Sequence, residues 1–323
     1  MTEAFNSNAD VLAEACKEKW IYRLRGTSQY VLGKEMARLI SILKSLLINR
    51  IAVQQKFEEW IGSRIIPEAV IAKTGWLVHH GHEAWYVCPR KQSSFPSEDP
   101  KLMVGEVGTP HQTEYVLDPI QCVSLYHALY DSKLSKLPLK IYEHQAGLTY
   151  RHEDNATGFP AGLEFMRIEF VWIAKKEEAI DIRNKLASGV ADLFAEQLWL
   201  KLRIARGDSC FEEPAIEGYA DDSLFERDNE DSWNPLPSVD VVVLFDNADP
   251  HLEVASAGRS DVIPRRFQIS TEDKSCLWSG CLGVGLTRVA FAFLRQHGFQ
   301  ANAWPDTQIS KLFKRDYVLG IDI

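Results

Sequence analysis

The chain has 323 residues, 46% of them hydrophobic, and its 36 Lys and Arg against 45 Asp and Glu give a net charge of −9. That composition supports a large buried core and excludes a disordered chain, a collagen-like repeat and a disulfide-stapled miniprotein. The N-terminus has neither a basic n-region nor an apolar h-region, and the most apolar stretch, Leu39 to Val53, is broken by Lys44 and Arg50. A soluble, cytoplasmic protein with no membrane partner is expected.

In chain order, apolar residues at helical spacing (Met36, Leu39, Ile40, Leu43, Leu46, Leu47) predict an amphipathic helix from Tyr30 to Ile51, within a mildly basic stretch that reads as a solvated helix face. Arg64 to Pro67 reads as a short strand ended by proline. His79, His80 and His82 fall in a loop-like Gly/His run and are expected at the surface. Leu117 to Leu129 reads as a helix opened by Asp118-Pro119. Ile141 to His144 and Leu148 to Glu153 read as strands, and the β-branched and aromatic content of Phe165 to Ala174 predicts another. The turn-rich residues Asp154 to Gly162 join the last two into a long β-hairpin. Lys175 to Arg206 is expected to be helical, Val239 to Phe245, Leu252 to Ser256 and Val262 to Ser270 to be strands, and Gly283 to Gln296 to be a helix opened by glycine. Helices followed by mostly antiparallel strands give an α+β fold around one central sheet.

Six cysteines without a CxxC pair imply that any metal site gathers ligands distant in sequence; Cys16, Cys88, Cys210 and Cys276 read as packing residues. From Gly207 to Asn234 ten acidic residues face a single basic one, Arg227, a stretch that repels a phosphate backbone.

Two groups of residues suit a nucleotide. Tyr150-Arg151-His152-Glu153 ends one hairpin strand and Glu169-Phe170 lies on the returning one. Arginine binds a phosphate bidentately and an aromatic ring stacks on adenine, although an ordinary surface hairpin carries the same Arg/Glu pairing. Downstream, Gly283 and Gly285 run into a helix bearing Arg288. The third glycine of a dinucleotide fingerprint is missing, but glycines let backbone approach a ligand closely and Arg288 can clamp a terminal phosphate. The carboxylate of Glu253 and the hydroxyl of Ser256 suit Mg2+ held between triphosphate oxygens.

Taken in order, Ile65-Ile66-Pro67, Tyr150 to Glu153 with its loop and Phe170, Glu253 to Ser256, and Gly283 to Arg288 resemble motifs 1, 2 and 3 of class II aminoacyl-tRNA synthetases. The resemblance runs from residue 25 to 297 and implies a class II catalytic core, a central antiparallel β-sheet flanked by helices. It implies one catalytic domain over residues 1–323, with an N-terminal extension at 1–24, an acidic insertion at 207–234, and a homodimer formed through motif 1. Cys122, Glu169 and Cys281 are similar to the Cys/Glu/Cys zinc positions of the atypical seryl-tRNA synthetases of methanogens and of their truncated relatives, the amino acid:[carrier protein] ligases. Two thiolates and a carboxylate leave the fourth zinc position open, and in that family it takes the amino acid's α-amino group.

The resemblance implies attack of a small amino acid's carboxylate on the α-phosphate of ATP, giving an aminoacyl-adenylate and pyrophosphate. In these roles Arg151 stabilises the α-phosphate, Glu153 and Phe170 hold adenine, Glu253 and Ser256 place Mg2+, Gly283 and Gly285 admit the ligand, and Arg288 grips the γ-phosphate. One zinc per subunit on Cys122, Glu169 and Cys281 selects the free amine. The expected acceptor is the phosphopantetheine thiol of an acyl or peptidyl carrier protein, a thiolate that needs little acid/base help. With the resemblance filling the chain, no tRNA-binding appendage and no tRNA partner are expected. Two other readings stay open, transfer to a natural-product amine or a tRNA, and a non-catalytic synthetase paralogue. Three departures bear on activity. Met166 stands where relatives carry an arginine, with Arg167 next to it expected on the opposite strand face. Thr287 replaces a usual acidic residue, and the acidic segment Glu212 to Trp233 is a poor dock for an acidic carrier.

Overall fold

The structure is a computed structural model and describes residues 4–87, 115–143, 147–152, 162–208, 210, 224–225, 230–246 and 251–315. A nine-stranded sheet organises these residues. Its strands are β1 (Glu58–Trp60), β2 (Leu139–Glu143), β3 (Leu148–Tyr150), β4 (Glu164–Lys175), β5 (Leu202–Arg206), β6 (Leu224–Phe225), β7 (Ser238–Leu244), β8 (His251–Ser260) and β9 (Leu277–Gly285). They run in the order β6-β5-β7-β8-β9-β4-β2-β1, with β3 paired to β4 off that path. Every pairing in it is antiparallel except that of β1 with β2. This is the α+β arrangement that the strand-rich second half of the sequence calls for.

One face of the sheet is closed by three helices, α1 (Lys34–Leu47), α3 (Lys176–Leu198) and α4 (Leu286–His297). Period-two alternation sends Ile168, Phe170, Trp172 and Ala174 of β4, with Leu282 and Val284 of β9, into that core. Gly280 is glycine for a packing reason: a Cβ there would run into the Trp172 indole, whose Nε1 donates to Ala179 O at 3.2 Å and ties the sheet to α3. Among the described residues the opposite face is covered at one end only. There α2 (Cys122–Ala128) packs with Ile66, Ile71, Trp76 and Val116 over Ile141, Val171 and Ile173. The uncovered part of that face is the floor of a cleft.

Several boundaries differ from the sequence expectations. Tyr30–Leu32 is a strand paired with Ile21–Arg23, and Gly33 caps α1, which ends in a π turn at Ile48–Ala52. Leu117 closes the strand Tyr115–Leu117, paired with Ile65–Pro67, and the following helix begins only at Cys122. The helix expected to reach Arg206 stops at Leu198, where Trp199 takes a left-handed conformation (φ 53°) and turns the chain into β5. Val262–Arg266 is a short helix, not a strand. Glycines 283 and 285 end β9 and do not open the helix, which starts at Leu286. Among the described residues no helix is long and apolar enough to cross a membrane.

Candidate active site

Register builds the cleft. Glu169 of β4 lies opposite Gly283 of β9, Gly283 opposite Ser256 of β8, and Ser256 opposite Asp240 of β7. Strands sit about 4.8 Å apart, so these four residues form one row across the sheet, and Arg167 and Cys281, two positions away, share its face. Cys122, the first residue of α2, comes from the layer that covers the end of the sheet.

The ligand atoms of Cys122, Glu169 and Cys281 all lie within 4.8 Å of one another, and all three residues are buried. Cys281 Sγ lies within that distance of both Cys122 Sγ and a Glu169 oxygen. The approach of Cys122 and burial together hold the Cys281 thiol well above its ordinary range. At Cys122 the approach of Cys281 favours the thiolate, but burial and the nearby Glu169 outweigh it and the thiol is also raised. Burial raises the Glu169 carboxyl, against the pull of the Arg167 guanidinium. Arg167 Nε lies 2.7 Å from Glu169 Oε2, an ion pair outside hydrogen-bond angles, and Glu169 Oε1 is buried with no hydrogen-bond partner. Three buried donors disfavoured as anions, one with an unused oxygen, are what a divalent cation would compensate, and two sulfurs with one oxygen are a zinc donor set. The residues fit the metal.

Arg167 lies on the strand face opposite Met166, as expected, and that face is the one that lines the cleft. It shares the face of Glu169 because the two are separated by one residue, and Met166 takes the other face. Gly283 makes room for it, since a Cβ at that position would overlap the Arg167 guanidinium. Met166 and Thr287 together line a small cavity with Tyr30 and Leu32. Neither lines the main cleft.

The residues singled out for a nucleotide occupy the same floor. Arg151, Glu253, Ser256, Gly283, Gly285 and Arg288 line one cavity of ≈ 210 Å³, and Arg288 Nη1 lies 3.2 Å from Glu253 Oε2. Phe170 does not belong to it. Its ring is fully buried on the helix side against Phe57 (5.5 Å between centroids) and Tyr142, because it is one residue out of phase with Glu169. The ring in the cavity is Phe165, with the guanidinium carbons of Arg288 and Arg151 at 5.3 and 6.0 Å from its centroid. Glu153 lies outside the described residues, as do Cys88 and most of the acidic segment 207–234.

The sequence reading also missed cleft residues on other elements. Asp240 Oδ1 is buried without a hydrogen-bond partner, and burial together with the nearby Glu253 holds its carboxyl well above the usual range. Cys210 lines the cavity, and burial pushes its thiol up to about 12. His80, expected at the surface, also lines it, together with Glu83.

A buried turn links the two groups of residues. Arg64 Nη1 binds Asp118 Oδ2 at 3.0 Å and its other nitrogen pairs with Glu143, while Asp118 Oδ1 accepts from the Ile120 backbone N–H at 3.2 Å. The turn so fixed leads directly into Cys122, and Pro119 O accepts from Arg151 Nε at 3.0 Å. One arginine serving two buried carboxylates leaves Asp118 short of compensation, and burial raises its carboxyl to about 7 against the pull of Arg64. A folded-state value above the unfolded one means that this stabilisation is full below the ordinary carboxylate range near pH 4 and is lost as pH rises through 7. Urea unfolding of wild type and Asp118→Asn across pH 5 to 8 is expected to show the wild type losing ground to the variant by up to ~1.4 kcal/mol per pH unit. A difference independent of pH would contradict this.

No protein-family model matches the chain. It is 30% identical over 325 residues to the type-2 serine–tRNA ligase of Methanopyrus kandleri, a match covering 94% of this chain and 60% of that protein. It is 28% identical over 324 residues to the type-2 serine–tRNA ligase of Methanothermobacter thermautotrophicus, with the same coverages. The chain thus spans about 60% of the length of these relatives. Among solved structures, M. kandleri SerRS in complex with A. aeolicus tRNASec superposes with a TM-score of 0.77 at 27% identity, over 96% of this chain and 61% of that one. A prolyl-tRNA synthetase from Cryptosporidium parvum, at 13% identity and a TM-score of 0.68 over 92% of this chain and 54% of that one, shares the fold. These relatives are tRNA ligases and one is seen bound to a tRNA, which overturns the expectations of a carrier-protein acceptor and of no tRNA partner. The chain has a class II aminoacyl-tRNA synthetase core and is related to the type-2 serine–tRNA ligases of methanogens.

Proposed function

We propose that the chain activates a small amino acid, serine first among candidates, as its adenylate and passes it to a ribose hydroxyl of a tRNA. The observation that carries the reading is the adjacency of two chemistries. The buried Cys122/Glu169/Cys281 set adjoins, through Arg167 and Gly283, the cavity lined by Arg151, Phe165 and Arg288. Serine and tRNA enter from the relatives, which are serine–tRNA ligases.

In the first step a carboxylate oxygen of the amino acid attacks the α-phosphorus of ATP and the bond to pyrophosphate breaks. Arg151, held by Pro119 O, balances charge growing on the α-phosphate, and Arg288 takes the terminal phosphate. Phe165, not Phe170, offers its ring to the adenine, with Glu153 beside it as the motif resemblance implies. Glu253 and Ser256 would hold Mg2+ between phosphate oxygens. Cys122, Glu169 and Cys281 would hold zinc, which supplies a Lewis-acid position for a free α-amine. An N-acylated amino acid lacks that free amine and is excluded, so selection acts before ATP is consumed. In the second step the acceptor hydroxyl attacks the aminoacyl carbonyl and AMP leaves.

The acceptor is tested by incubating protein, ATP and labelled serine with a serine tRNA transcript, beside a phosphopantetheinylated carrier protein. Label in the tRNA supports the reading. Adenylate that forms and passes its label to neither acceptor would overturn the transfer half and leave the activation half standing.

A further inference from the structure

We infer that His80, oriented by Glu83, is the general base of the transfer step, taking the proton of the acceptor hydroxyl as its oxygen attacks the aminoacyl carbonyl. This rests on the proposed adenylate chemistry and adds a catalytic residue to it. The attack in the activation step moves no proton, because the attacking group is already a carboxylate. Transfer does: the acceptor O–H bond breaks, a C–O bond forms, and the carbonyl carbon's bond to the phosphate oxygen breaks. AMP departs with that electron pair as a phosphate that needs no proton. One base is required, and it must reach the cleft.

The described cleft residues narrow the choice. Glu169 is paired with Arg167, and Glu253 with Arg288, while Asp208 also lines the cavity but is exposed to solvent. Asp240 is held toward its protonated form by burial. His80 and Glu83 form a base and an orienting carboxylate of the kind that activates hydroxyls in unrelated enzymes. The helix Trp76–His80 runs into the turn Gly81–Glu83, which brings His80 Nδ1 to 3.1 Å from Glu83 Oε1. That contact occupies Nδ1 and leaves Nε2 as the nitrogen available to a substrate. The imidazole is also stacked on the buried Trp76 ring, with centroids 5.4 Å apart and planes at 21°. Such a ring loses little orientation when a substrate arrives. The pair is fastened beside Arg151, since the backbone N–H of the next residue, His152, donates to Glu83 O at 2.8 Å. At 28% and 16% side-chain exposure His80 and Glu83 sit at the wall of the cavity, while His82, 60% exposed and 3.9 Å from Glu83, stands outside it.

The test separates the half-reactions in wild type, His80→Gln and Glu83→Gln. Serine-dependent ATP–pyrophosphate exchange reads activation, and a rapid-quench single turnover from preformed enzyme-bound adenylate to a serine tRNA transcript reads transfer. The expected result for His80→Gln is transfer slowed by about 10²- to 10⁴-fold, with exchange, whose attack step moves no proton, kept within about threefold. Glu83→Gln is expected to slow transfer less, and imidazole in solution to restore part of the rate to His80→Gly. Transfer at the wild-type rate in His80→Gln overturns the inference. So does a parallel fall of exchange and transfer, which would assign His80 to binding or activation. Exchange without any transfer in the wild type brings down the acceptor reading and this inference with it, and no exchange in the wild type brings down the adenylate reading itself.

Discussion

Cys281→Ala is expected to release zinc from the purified protein and to lower amino-acid-dependent ATP–pyrophosphate exchange by more than ~100-fold, since losing a mere supporting residue of a metal site costs 10- to 100-fold. Cys281 sits in β9 two residues from Gly283, on the face that carries Glu169, with its sulfur within 4.8 Å of the other two donors. Its loss leaves Cys122 and Glu169, two donors, where a tight zinc site needs three. The fold should survive, because the position is a small buried thiol that alanine replaces with the loss of one atom's packing. Metal content by mass spectrometry and a thermal melt on the same sample check both halves. A variant that keeps stoichiometric zinc, or loses zinc and keeps full exchange, contradicts the assignment.

A pair of phenylalanines gives the second large effect. Phe165→Ala is expected to raise the KM for ATP about 5- to 100-fold, the worth of one base stacked on an aromatic ring, with a loss of stability smaller than that of Phe170→Ala because Phe165 is 7% exposed and lines the cavity. Phe170→Ala is expected to do the reverse. Its ring is fully buried against Phe57 and Tyr142, so truncation costs about 3–5 kcal/mol of stability, with the KM for ATP near wild type at temperatures where the variant stays folded. Exchange kinetics and urea unfolding on both variants read the two axes. An ATP defect that follows Phe170 and spares Phe165 would contradict the placement of adenine.

That exchange of roles marks where the sequence was legible and where it was not. The Cys122/Glu169/Cys281 trio came from matching residues far apart in the chain to a family pattern, and folding brings their ligand atoms within 4.8 Å because β4 and β9 are neighbours and α2 covers their end. The adenine ring was assigned by motif spacing alone. Strand phase held the better answer: if Glu169 faces the cleft, then Phe165 and Arg167 do too, and Ile168, Phe170, Trp172 and Ala174 form the apolar face. The same phase resolves the concern over Met166. Asp240 was beyond reach, since its place depends on β7 pairing with β8 across a bulge that no local pattern announces. His80 was hidden by a short helix with no period to read, and its role emerges only from its approach to Glu83. Trp199 ended a helix by a left-handed turn that a tryptophan does not advertise, and the alternation of Leu202, Ile204 and their polar neighbours was the signal for β5. In Val262–Arg266 the β-branched opening suggested a strand, whereas Pro264 in the first turn was a helix signal.

The central claim is that this cleft joins a metal-selected amino acid to ATP. Its most direct test is exchange of labelled pyrophosphate into ATP by zinc-loaded protein, run across the twenty standard amino acids and repeated with N-acetylated forms of any that respond. The account predicts exchange with serine or another small amino acid and none with its N-acetyl derivative, because the open zinc position needs a free amine. Folded, zinc-loaded protein that exchanges with no standard amino acid, or that accepts the N-acetylated form equally well, would contradict it.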